Sequence, residues 1–129
     1  VEEAPKRFMH NPVGLVTGDD FFVRSPRKIE GESILFYCMV KEGMDLALLE
    51  STDIVADTRK AVEEKVRQLG GASALINFHC ILRALELEEI GHNEAYGSIF
   101  ADIPTIGFST YGEEYIGHIN QTSTMLLFK

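Results

Sequence analysis

The sequence predicts a two-layer α+β domain, with a mixed, mostly antiparallel sheet of five or six strands and two main helices on one face. Short apolar runs punctuated by Gly and Pro recur along the chain and read as strands. One long segment, from Thr52 or Asp53 to Leu69, repeats its apolar residues at helical spacing, and a second helical pattern opens near His79 or Cys80. The resulting order, β-β-β-α-β-α-β-β, lets each helix serve as a crossover between strands, so the sheet is mixed.

In chain order, residues 1–12 read as an extended leader. Phe21-Phe22-Val23-Arg24 then reads as a strand that Ser25-Pro26-Arg27-Lys28 interrupts, because proline cannot donate to a central ladder. Glu30-Gly31-Glu32 is a turn. Ile34-Leu35-Phe36-Tyr37-Cys38-Met39-Val40 is apolar without alternation, which predicts a strand covered on both faces. Lys41-Glu42-Gly43 turns it into an antiparallel neighbour, Met44 to Leu49. In the first helix Val55, Ala61, Val62, Val66 and Leu69 mark the apolar face and Gly70-Gly71 the end. Ala74 to Phe78 is a short buried strand. The helix after it has apolar first turns, Ile81 to Leu85, and wet later turns at Glu86, Glu88 and Glu89. Gly91-His92-Asn93 breaks the helix, and a final pair of strands follows Pro104, closing with Ser123 to Phe128.

At 129 residues the chain suits one domain that can bury a core without disulfide or metal staples. No apolar run approaches the roughly 20 residues of a membrane helix, so no membrane insertion is expected. Val1 in place of an initiator Met, with no signal-peptide core behind it, points to a chain cut from something longer. Cys38 and Cys80 lack CxxC spacing and zinc-site partners, and read as free thiols in a reducing cytoplasm. The net charge is −8, and between Arg83 and Lys129 seven acids stand without one Lys or Arg. Such a surface disfavours nucleic acid and anionic membranes. No HxH, HExxH, GxGxxG or phosphate-loop lysine motif occurs, so neither a metal nor a cofactor is expected.

Two places concentrate chemistry. Pro104 to Glu113 runs from an apolar strand into a loop of glycyl and hydroxyl residues. Ser109, Thr110, Tyr111, Glu113, His118 and Asn120 there offer more polar groups than a connection needs. The second place is Arg83, a guanidinium inside an apolar helical run, which requires an anion. Cys80 lies one helical turn earlier, and the helix start itself favours an anion. Arg83 therefore either receives a ligand carboxylate or phosphate or pairs with a protein carboxylate such as Glu113. A thiol at a helix start beside Arg can also have a lowered pKa. That opens an enzymatic alternative, with Cys80 as nucleophile, His79 or His118 as base, and Asn120 or Glu113 as orienting group. A third alternative has the loop binding a protein.

The chain resembles the C-terminal half of the FIST domain, a sensory module of bacterial signalling proteins and some F-box proteins. The resemblance rests on Gly14-Leu15 with Arg24-Ser25-Pro26, on Glu42-Gly43, on Cys80-x-x-Arg83, and on Gly107-Phe108-Ser109-Thr110-Tyr111-Gly112-Glu113. It implies a ligand-sensing domain for small molecules such as amino acids, with no recognised enzymatic activity. On this reading a ligand carboxylate rests on Arg83 and the N–H groups near Cys80, and Glu113 with Tyr111 and Asn120 takes the amino group. The family's domain normally has an N-terminal half as well, absent from this sequence.

Two helices cover one sheet face, and the strand from Ile34 to Val40 is apolar on both. The bare face is expected to meet either that N-terminal half or a second copy in a homodimer.

Overall fold

A computed structural model describes residues 4–129. Ala4–His10 form a helix, α1, where an extended leader was expected; Val1, the basis for expecting a cut chain, lies outside the described residues. The chain is α+β. The single sheet of five or six strands is replaced by two three-stranded sheets and two separate hairpins.

The first sheet has β1 (Val13–Thr17) at its centre, antiparallel to β2 (Asp20–Arg24) on one side and β5 (Leu46–Leu48) on the other. Gly18, at φ 62°, makes the tight turn between β1 and β2. Pro26 ends this strand run and opens β3 (Pro26–Glu30), which forms a hairpin with β4 (Ser33–Phe36).

The long two-sided strand expected over Ile34–Val40 does not form. β4 stops at Phe36, and Ile34, Leu35, Tyr37 and Met39 are exposed. The Glu30-Gly31-Glu32 turn pins Ile34 opposite Ile29, and among the described residues this two-stranded ribbon has no third strand. The Met44–Leu49 segment pairs with β1 instead of the Ile34 strand. An apolar run without alternation carries no instruction about its face or partner.

α2 spans Ile54–Leu69 as expected. Asp53 caps it by accepting from the N–H groups of Val55 and Ala56, at 3.0 and 2.9 Å. Gly70, left-handed at φ 74°, closes it. Its buried residues are Ile54, Thr58 and Val62, one every four residues.

β6 (Ala74–Cys80) passes directly into α3 (Ile81–Glu89). The expected wet later turns of α3 are in fact its buried part. Leu87 joins Ile54 and Tyr96 in the core, and Glu86 is buried because the Ser51 hydroxyl donates to it at 2.6 Å with His10 Nδ1 3.8 Å away. α4 (Asn93–Gly97) supplies Tyr96.

β7 (Thr105–Thr110) then lies parallel to β6, and β10 (Ser123–Phe128) lies antiparallel on the other side of β6. The final pair of strands thus flanks β6 instead of pairing together. Between them the chain folds β8 (Glu113–Tyr115) and β9 (Gly117–Ile119) into a small hairpin. Residues 75, 77 and 79 of β6 face α4: Asn77 Nδ2 donates to the Tyr96 hydroxyl at 3.3 Å, and the His79 ring stacks on Tyr96 at 4.8 Å.

Candidate functional site

A cleft of about 630 Å³ lies between α2 and the inner face of β10, within the about 300–1,000 Å³ usual for small-molecule sites. Its walls are Ala61, Val62 and Leu69 of α2 and Met125 and Leu127 of β10, with Thr122 and Ser123 at one end. Its polar fixtures are Asp57, Thr58 and Lys65 on α2 and Arg83 on α3. Arg83 Nη2 donates to Thr58 Oγ1 at 2.8 Å, while its Nε is buried without a hydrogen-bond partner. Among the described residues Arg83 makes no ion pair, so the expected alternative of a salt bridge to Glu113 is not formed. Thr58 fits this place because the Ile54-Thr58-Val62 stripe turns it inward, and its own hydroxyl is anchored to the Ile54 carbonyl at 2.7 Å.

The loop residues assemble elsewhere. Glu113, 4% exposed, accepts from the hydroxyls of Thr110 and, at 2.7 Å, Thr122. Cys80, 1% exposed, donates its thiol to the same carboxylate and receives the N–H groups of Leu82 and Gln121. Burial pushes the Cys80 thiol above its ordinary pKa, and Glu113 pushes it further. The lowered pKa expected of a helix-start thiol is therefore reversed, because this thiol is dry and beside a carboxylate. Neither His79 nor His118 acts on it.

Asn120 is fully buried. Its Oδ1 accepts from the Ser25 N–H at 3.4 Å, and its Nδ2 has no partner. His118 is exposed, with its ring over Gly112. Ser109 is exposed, and Tyr111 is 88% exposed. The structure thus groups Cys80, Thr110 and Glu113, connects them to the cleft through Thr122, and leaves Ser109 and Tyr111 at the surface.

Three participants escaped the sequence reading. Thr58 and Asp57 were not singled out, although four-residue spacing from Ile54 marks Thr58 as inward. Arg24 is buried, and its Nη1 donates to the His118 carbonyl at 2.6 Å and the Val23 carbonyl at 3.3 Å, which joins β2 to β9. It lies beside Cys38, whose thiol is nevertheless pushed up, chiefly by burial.

His79 is held neutral. Burial, then the Arg83 charge, lowers its pKa to about 4. The unfolded state, with a pKa of about 6.5, binds more protons between these values, so stability is full above that pH and declines as pH falls toward 4. His79→Phe keeps a ring against Tyr96 and removes the titration. Urea melts at about pH 7 and 4.5 are expected to show the native chain losing about 2 kcal/mol more than the variant, allowing for partial exposure.

Among the described residues no helix is long and apolar enough to cross a membrane, and no group of three or more His, Cys, Asp or Glu could hold a metal ion. No curated protein and no solved structure matches the chain. The family model of the FIST C domain matches residues 1–115, most of the chain up to the β8–β9 hairpin. With the α+β architecture and the ordered Arg24, Cys80-x-x-Arg83 and Gly107-to-Glu113 elements, the chain belongs to the FIST C domain family, a family of sensory domains in signal transduction.

Proposed function

We propose that this domain senses a small amphipathic carboxylate, with an amino acid as the favoured class, in the cleft between α2 and β10. The observation that carries the reading is Arg83, a cation on the wall of an apolar cleft with an unpartnered Nε and, among the described residues, no ion-pair partner. A guanidinium so placed receives a ligand carboxylate in a forked pair, and the apolar walls receive the side chain. Both Glu113 oxygens are engaged by threonine hydroxyls, so the ammonium of an amino acid falls to Asp57 on the same cleft. Signal output then follows from fixing α3 against α2 through Arg83 and Thr58. The free, buried Cys38 and Cys80 support a cytoplasmic setting. The raised Cys80 pKa favours sensing over thiol catalysis.

A thermal-shift panel of amino acids, their deaminated carboxylates and their amides tests the reading. A ligand at a hundred times its Kd stabilises by about 2.7 kcal/mol, a rise in Tm of about 10 °C for this size. Arg83→Ala is expected to abolish the rise with a loss of less than about 1 kcal/mol in the ligand-free domain, since it breaks one hydrogen bond to Thr58. Asp57→Asn is expected to weaken amino acids while sparing the deaminated acids. A panel in which amides stabilise as well as acids, or in which Arg83→Ala leaves the shift intact, contradicts it.

A further inference from the structure

Among the described residues, the outer face of the β10–β6–β7 sheet is left open except at one end. Strand alternation puts Ile106 and Phe108 of β7 and Leu126 and Phe128 of β10 on the side opposite Asn77 and His79. These four are 71%, 63%, 52% and 43% exposed. The register sets Ile106 and Leu126 on either side of Ile76, and Phe108 and Thr124 on either side of Phe78, with the Phe78 and Phe108 rings edge to face at 5.5 Å. The β8–β9 hairpin covers only the end of this face, where Glu113 meets Cys80 and Thr110. No Asp, Glu, Lys or Arg occurs in β6, β7 or β10.

We propose that this face is the interface of a two-fold homodimer in which the outer sheets of two copies pack face to face. Three observations select a second copy as the occupant. The first is area: the four exposed side chains and the β6 residues between them present on the order of 400 Å² of apolar surface. That supplies about half of a standard interface of about 800 Å² per partner and matches the size of the largest, often functional, apolar patches on soluble chains. The second is self-complementary shape. A two-fold axis parallel to β6, between sheets about 10 Å apart, lays β7 of each copy over β10 of the other. Phe108 then meets the small Thr124 and Ile106 meets Leu126, while Ile76 and Phe78 on the central strand lie nearest their own counterparts, so apolar side chains fall over apolar or small ones along all three strands. The third is charge. An uncharged face offers nothing to a basic partner, although the whole chain carries −8. Two copies repel at long range only, and salt screens that repulsion.

Sedimentation equilibrium of the chain from about 1 to about 500 µM, at about 50 and 500 mM salt, tests the proposal. The expected result is a monomer–dimer equilibrium that tightens with salt. Phe108→Glu and, separately, Leu126→Glu are expected to weaken it at least about tenfold with native circular dichroism retained, since both residues are exposed in the monomer. Leu48→Glu, on the other three-stranded sheet and 76% exposed, is expected to leave it unchanged. A monomer at every concentration and both salts overturns the proposal. So does a dimer that survives both glutamates, or one that only Leu48→Glu disrupts.

Discussion

Gly107→Ala is expected to cost about 3 kcal/mol or more and to loosen β7 from the sheet. Gly107 stands opposite Asn77 in the parallel β6–β7 ladder. A Cβ built on it falls on the Asn77 carbonyl oxygen, with the Asn77 carbonyl carbon at 2.9 Å and Cα at 3.2 Å. The clash is with backbone, so no rotamer relieves it. Asn77 cannot retreat either: Ser123 Oγ donates to its Oδ1 at 2.6 Å, and its Nδ2 holds Tyr96. Against a total stability of about 5–15 kcal/mol the loss is large. Chemical denaturation should show a midpoint lowered by that amount, and hydrogen exchange should speed up first along residues 105–110. An unchanged midpoint would mean that the close approach is absent in solution.

Glu113→Ala is expected to cost about 3 kcal/mol. The buried carboxylate satisfies the half-buried hydroxyls of Thr110 and Thr122 and the buried Cys80 thiol, and its loss leaves these three donors without that acceptor. Glu113→Gln, which keeps one acceptor oxygen, is expected to cost about 1 kcal/mol. The thiol reports the same change independently. Removing the carboxylate removes an influence that raises the Cys80 pKa, so alkylation of Cys80 should accelerate in Glu113→Ala at fixed pH. Equal denaturation midpoints for all three proteins would show that Glu113 is hydrated instead of bonded.

The legible parts of this fold were those with local rules. Asp53, the apolar spacing through α2 and Gly70 fixed that helix within a residue or two, because capping and period act over one turn. The break after Arg24 and the turn at Gly31 were likewise local. Pairing partners were not legible. Ile34–Val40 offered no alternation, so nothing in the run said that β4 would end at Phe36 or that Leu46–Leu48 would choose β1. Exposed apolar residues occur in the Ile34–Val40 run, at Ile34, Leu35, Tyr37 and Met39, and also on β7 and β10, where no bare face was read.

The site was legible in half. Arg83 was visible as a cation in an apolar run, and the structure places it on a cleft. Its surroundings were hidden because they come from α2 and β10, some 25 and 40 residues away in the chain. Cys80 and Arg83 share a helical turn, but the thiol meets Glu113 and the guanidinium meets Thr58. Proximity in sequence fixed their separation and not the neighbours each would find.

The most direct measurement is the side-chain ¹⁵N–¹H resonance of Arg83 Nε, followed while a stabilising carboxylate from the panel is titrated into the chain. With its Nε buried and unpartnered in the free domain, the resonance is predicted to move sharply downfield as the carboxylate pairs with it, together with the amides of Thr58 and Met125 on the two cleft walls. Shifts confined to residues 109–116, with the Arg83 resonance unmoved at saturation, would place the ligand on the surface loop and contradict a carboxylate site between α2 and β10.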